Sequence, residues 1–245
     1  VKKAAVVVGA VVLGLGLVTG CSWGDSDAPV ASAPSVDAQA NRVPVEIAPV
    51  DIDQWTDRYA AAAAGVTTAH FTMAVDVTDT STGEALELWD AEGDMDITDP
   101  DNPKVTMSLR IHGVSADCIY VDNKTYLKLG VSYVEESDLA EVGDWLGLLD
   151  QRSAVGSEVT KISLVGTEKV AGVETNHYVV TYDAARFAAL VPDAPGVDTV
   201  DVDLWLDDQA RTVKFSTTFS ADAVVATMEA VFTDYGKVVS VQAPR

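Results

Sequence analysis

The stretch VDVDLWLDDQARTVKFSTTF, residues 200–219, decides how the rest of the chain is read. Val202, Leu204 and Leu206 share one face of an extended segment, and Asp201 and Asp203 share the other. Polar residues then gather at Asp208-Gln209-Ala210. Val213, Phe215, Thr217 and Phe219 restore the same alternation. A period of two over a short run marks a strand with one dry face and one wet face, and two such runs around a polar turn make a hairpin. Asp201, Asp203 and Asp207 are accordingly expected on a solvated outer face.

The same period recurs upstream. In HFTMAVDV (70–77), Phe71, Met73, Val75 and Val77 oppose His70, Thr72 and Asp76. In KVTMSLRIHG (104–113), Val105, Met107, Leu109 and Ile111 oppose Thr106, Ser108, Arg110 and His112. CIYVDNKTYLKL (118–129) reads as two short strands joined at Asp122-Asn123-Lys124, and TKISLVGTEKVAGVETNHYVVTYD (160–183) as two strands turning at Ala171-Gly172. TMEAVFTDYG (227–236) supplies a last strand, and GEALELWDAEGDMDIT (83–98) another with a break near Gly93.

Helical signals are fewer. DIDQWTDRYAAAAA (51–64) places Ile52, Trp55 and Tyr59 on one face, with Asp51 or Asp53 as cap and Gly65 as stop. DLAEVGDWLGLLD (138–150) and DAARFAALVP (183–192) are short and amphipathic, the second ended by Pro192. The expected fold is therefore α+β: a long antiparallel meander forming a curved sheet, with a few helices packed on its concave face. Strands with one apolar face need that face covered. Three short helices are little cover for about nine strands, so the sheet either leaves a cavity or curls on itself.

The N-terminal region sets a compartment. Lys2 and Lys3 precede an apolar run over residues 4–18, the length of a signal-peptide core and short of the ~20 residues a spanning helix needs. Within LGLGLVTGCSWGDSD (13–27), Leu17-Val18-Thr19-Gly20-Cys21 resembles a bacterial lipobox. The resemblance implies lipid transfer to the Cys21 thiol, cleavage before it, and attachment to the extracytoplasmic face of the cell membrane. More than one acyl chain is needed to hold a protein on a bilayer stably. Residues 1–20 then form a signal peptide. Residues 21–50 are the lipidated Cys and a Pro/Ala/Ser-rich tether reaching roughly 30 Å as a flexible coil, and 51–245 are the folded domain.

The 245 residues carry a formal charge of −22, and 48% are hydrophobic, enough for a core. That acidity excludes a nucleic-acid partner, which requires a basic footprint. With Cys21 lipidated, Cys118 has no partner for a disulfide and is expected as a small buried strand residue. His70, His112 and His177 fall on the polar faces of separate strands, and no G-x-S-x-G nucleophile turn is present. DMDITDPDN (94–102) resembles a calcium loop only in its acidity: counted from Asp94, the required Gly and Glu positions hold Asp99 and Val105. No catalytic residue, metal site or cofactor is expected. The stripe Phe71, Met73, Val75, Val105, Met107, Leu109, Leu204, Leu206, Phe215 and Phe219 has two readings, core packing or the lining of an apolar ligand cavity, since both call for the same side chains.

The segments Val165-Gly166-Thr167-Glu168-Lys169-Val170-Ala171-Gly172-Val173-Glu174-Thr175-Asn176-His177-Tyr178 and Val202-Asp203-Leu204-Trp205-Leu206-Asp207-Asp208, with Arg211 after the turn, resemble actinobacterial LppX/LprG-type lipoproteins. The resemblance extends over roughly residues 50–243. It implies the LolA-like half-barrel, a cavity between sheet and helices for an acylated lipid or glycolipid, and a role in carrying that lipid within the cell envelope. It assigns no site residue. The alternative is a non-catalytic envelope protein of the same fold with a filled core, contacting a transporter, sensor or cell-wall partner.

Overall fold

The computed structural model describes residues 48–111, 114–135, 159–183, 199–221 and 224–244. The short strand β1 (Ala48–Pro49) leads into helix α1 (Ile52–Ala64). Eleven strands follow: β2 (Thr68–Asp79), β3 (Ala85–Asp96), β4 (Lys104–Ile111), β5 (Val114–Val121), β6 (Lys124–Leu129), β7 (Ser132–Glu135), β8 (Val159–Val170), β9 (Val173–Asp183), β10 (Thr199–Leu206), β11 (Thr212–Ala221) and β12 (Val224–Thr233). They form one open antiparallel sheet in the order β1-β8-β9-β10-β11-β12-β2-β3-β4-β5-β6-β7. Two meanders, β2 to β7 and β8 to β12, are joined where the last strand pairs with β2, Phe232 facing Phe71.

The turns form where the sequence allows the left-handed backbone. Ala171 (φ 47°) and Gly172 (φ 84°) close β8–β9, and Asp122 (φ 54°) and Asn123 (φ 57°) close β5–β6. Both are two-residue hairpins with two positive φ values, the turn whose twist matches that of the strands. In α1, the Asp51 carboxylate accepts a hydrogen bond from the Gln54 amide at 2.9 Å, satisfying one of the free donors at the helix start. A 13-residue helix is marginal alone, and its aromatic face holds it down. Trp55 stacks on Tyr59, with 4.9 Å between ring centroids, and meets Tyr178 of β9 edge-on at 5.8 Å. The Tyr59 hydroxyl is 2.8 Å from Thr212 Oγ1 of β11. Burying each ring is worth about 2–3 kcal/mol. The amphipathic segment 138–150, and 184–192 of the other expected helix, lie outside the described residues; Asp183 ends β9.

Three features depart from the period-two pattern of the sequence. Ala48 and Pro49, read as the end of a tether, pair with Leu164 and Ser163 on the edge of β8. The four-residue strand β7 extends the other edge. Asp207, expected in solvent, is buried. Its Oδ1 accepts from the amides of Gln209 (2.9 Å) and Arg211 (2.8 Å), and its Oδ2 accepts from Arg211 Nε (2.8 Å) and Nη2 (2.7 Å). Asp207 lies one residue past the end of β10 and heads the turn, so the alternation that holds through Leu206 no longer places it.

The break expected near Gly93 does not occur: β3 runs through it in register, with Gly93 opposite Phe71 and Met107, and the glycine is there for a steric reason. A Cβ at Gly93 would lie 2.2 Å from the Thr106 carbonyl oxygen and 2.7 Å from Met107 Cβ, so β3 and β4 approach only because that atom is missing. A Cβ at Gly166, beside an irregularity in β8, would meet nothing within 4 Å. Gly93→Ala is expected to cost about 3 kcal/mol, the upper part of the usual overpacking range, and Gly166→Ala close to nothing. Urea denaturation of the two variants, compared at equal slope, checks this pair.

Candidate functional site

The candidate stripe comes together through strand register. One row of directly opposed residues runs Leu164, Tyr178, Leu204, Phe215, Ala230, Met73, Ala91, Leu109 and Ala116, from β8 across to β5. A second runs Phe232, Phe71, Gly93, Met107, Cys118, Leu127 and Val134, from β12 to β7. Val75 faces Met228, and Val105 faces Met95. A period-two pattern in each strand thus becomes one continuous apolar face, and α1 rests on it through Tyr178 and Thr212.

The members of the stripe differ in how they are enclosed. Phe71, Met73, Val75, Val105, Leu204, Leu206 and Phe215 are buried, Phe71 and Val105 almost completely. Met107 and Leu109 are partly buried and pack against this cluster. Phe219 opposes Ala226 on β12, and its side chain is outside the described residues. Beneath α1, a crevice of about 10 Å3 is bordered by Trp55, Arg58, Tyr59, Asn176, Tyr178, Leu206, Asp207 and Ala210. That is room for one water molecule.

Cys118 lies in the second row, fully buried, as expected for a small strand residue. Burial pushes its thiol up to about 12, so at neutral pH it carries its proton. The thiolate is the reactive form. Native protein is therefore expected to leave Cys118 unlabelled by iodoacetamide at pH 8, and protein in denaturant to label it fully. Mass spectrometry of the peptide reads the difference.

The polar face is organised by paired charges. His177 is buried between Asp203 of β10 (Nε2 to Oδ1, 2.6 Å) and Glu168 of β8 (Nδ1 to Oε1, 3.2 Å). Trp205 stacks on its ring at 4.2 Å and donates Nε1–H to Glu168 at 2.5 Å. Lys214 covers Trp205 at 4.9 Å and pairs with Glu229 at 2.6 Å. Asp203 is thus half-buried in a network rather than solvated, while Asp201 is exposed and accepts from Thr181 Oγ1 at 2.6 Å. A hydrolytic triad leaves one imidazole nitrogen to take a proton from a nucleophile, whereas both nitrogens of His177 face carboxylates. His70 repeats the pattern, with Asp94 at 2.9 Å and Glu92 at 3.4 Å. His112 lies outside the described residues.

The acidic stretch 94–102 does not converge on a point. Asp94 binds His70, Asp96 accepts from the Thr98 amide, and Asp99 from the Asp101 amide. Among the described residues, no three His, Cys, Asp or Glu side chains are arranged to hold a metal ion.

LprF from Mycobacterium bovis superposes with a TM-score of 0.63 at 19% identity, covering 80% of this chain and 98% of that one. The lipoprotein LppX from Mycobacterium tuberculosis superposes at 0.54 and 18% identity, covering 77% and 97%. At these identities the likeness is one of fold. A LolA superfamily protein from Nitrosomonas europaea gives only 0.28 at 8% identity, covering 79% and 96%, which carries no weight. Comparison with curated protein sequences gives no match. The sequence model of the LppX_LprAFG lipoprotein family matches residues 51–241, which is nearly all of the sheet and its helix, and the chain belongs to that family.

Proposed function

We propose that this protein is anchored through Cys21 on the extracytoplasmic face of the cell membrane, and that it carries an acylated lipid or glycolipid within the envelope. The apolar face that runs in register from Leu164 to Ala116 is the observation that carries the reading. It supports acyl-chain binding because apolar rows in line across many strands match the shape of an extended hydrocarbon chain. Each buried CH2 contributes about 0.8 kcal/mol, so affinity grows with chain length without any specific polar contact. Met107, Leu109 and Leu164 are partly buried, so they are among the positions on this face that a ligand would reach first. Membership of a lipoprotein family is in keeping with the anchor. Binding and release of this kind need no catalytic group, no cofactor and no metal.

The close packing of seven stripe residues favours a second reading, a filled-core envelope protein that works by contacting another protein. A lipid census separates the two. Residues 22–245, exported from a bacterium that makes the native envelope lipids and purified without detergent, are analysed by native mass spectrometry and organic extraction. Discrete lipid adducts that vanish on denaturation are expected. A bare mass that persists after incubation with acylated glycolipids would overturn the carrier reading in favour of the second.

A further inference from the structure

Antiparallel pairing in sequential order brings the β2–β3, β4–β5 and β6–β7 turns to the same end of the sheet. Three exposed aliphatic side chains lie at this end, against one, Val238 beside the start of β2, at the other end of these strands. Val131 in the β6–β7 turn is 99% exposed, Val114 at the start of β5 is 62% exposed, and Leu86 near the start of β3 is 45% exposed. Turns prefer Gly, Asn, Asp and Ser, so turn chemistry does not call for Val131, and Leu86 and Val114 stand exposed among the first residues of β3 and β5. The charges nearby are largely engaged: Asp79 with the Ser81 and Thr82 amides, Lys128 with Asp117, and Arg110 with Asp90. Glu84 in the β2–β3 turn is an exposed acid at this end, while the opposite end of the same strands carries exposed Asp99, Asp101 and Asp122.

We propose that the end bearing Leu86, Val114 and Val131 rests on the lipid bilayer and is the end through which an acyl chain reaches the apolar face. The proposal deepens the carrier reading and rests on it. Three observations favour a bilayer over a protein partner. The tips offer small aliphatics, which sink into the interface by apolar area alone, whereas protein interfaces are anchored mostly by Trp, Tyr and Arg. The acidic end is repelled by anionic headgroups, which turns the other end toward them. The apolar face also leads there: Ile111 pairs with Val114, two residues along β4 from Leu109. The sequence between Cys21 and Ala48 is no obstacle, since at up to ~3.3 Å per residue it can span roughly twice the length of a twelve-residue strand.

The test uses the full chain on vesicles of phosphatidylcholine and anionic phosphatidylglycerol containing a radiolabelled phospholipid. A photoreactive benzophenone residue is introduced by Val131→benzoylphenylalanine or, at the opposite end, by Asp101→benzoylphenylalanine. Several-fold more lipid label is expected at 131 than at 101. Equal labelling, or none at 131, would overturn the proposal, as would crosslinking at 131 in whole envelopes to a protein with no lipid labelled. A second variant, Val114→Asp with Val131→Asp, is expected to slow lipid transfer from vesicles to protein several-fold while leaving unchanged the lipid adducts acquired in the cell. Unchanged transfer would overturn the proposal. Loss of adducts from the unaltered chain instead removes the carrier reading, while the crosslinking ratio still decides whether this end meets the bilayer.

Discussion

Asp207→Ala is expected to lower stability by about 2–3 kcal/mol, because two backbone amides and a guanidinium that keeps 31% of its exposure lose their acceptor. For a chain of this size, each kcal/mol moves the melting temperature by about 2–4 °C, so thermal unfolding should shift down by roughly 7 °C. The carboxylate closes the β10–β11 turn through the Gln209 and Arg211 amides and two of the guanidinium nitrogens of Arg211, Nε and Nη2. Arg211 in turn lies 4.8 Å from the centre of the Tyr235 ring, and the Tyr235 hydroxyl donates to the Thr212 carbonyl. Thr212 receives the α1 residue Tyr59, and Arg58 of α1 donates to the Asp208 carbonyl at 3.1 Å. Loss of Asp207 should therefore loosen the helix as well as the turn. Faster hydrogen exchange at 52–64, beyond that at 207–211, is the accompanying sign. A melting temperature within 2 °C of the unaltered protein, measured by calorimetry, would show that water replaces the carboxylate at little cost.

The buried state of Asp207 marks where sequence reading stops. The period of two located the strands and placed Val202, Leu204 and Phe215 on one face, because alternation is a property of each strand by itself. It also put Asp201, Asp203 and Asp207 together on the other face. Asp207 escapes that pattern because it is the first residue of the turn, where alternation no longer applies. An Asp heading a turn with Arg four residues on is the signal that points to local capture of the carboxylate. The His177 network was hidden for a different reason. Glu168, His177 and Asp203 belong to three strands, and only register brings them together. Trp205, a large ring on the polar side of β10, was the available clue that this side is partly covered. Helix α1 was legible to its cap because Asp51, Gly65 and the Trp55–Tyr59 spacing are all local. Ala48 and Pro49 were not, since two residues carry no period and their pairing depends on the edge of β8.

The two readings of the apolar stripe part company at Phe71 and Leu109. Phe71 is wholly buried and sits between Phe232 and Gly93 in its row. Phe71→Ala removes a ring from a site already closed by neighbours, and the close approach of β3 and β4 at Gly93 limits how far the sheet can collapse into the gap. A loss of about 3–5 kcal/mol is expected, read by denaturant unfolding. Leu109 is only partly buried, so Leu109→Asp leaves the new carboxylate some access to water and should cost less, about 1–2 kcal/mol. If acyl chains lie along this face, the order of the two effects reverses in a lipid assay. A carboxylate at 109 places an ion where hydrocarbon would pack, and co-purified lipid should fall several-fold. Phe71→Ala, kept below its melting temperature, should retain its lipid because the lost ring faces protein. A filled core predicts the opposite outcome: both variants change stability in proportion to burial, and neither changes lipid content. Native mass spectrometry of the two variants, beside their unfolding curves, therefore separates a face that packs against itself from one that packs against a ligand.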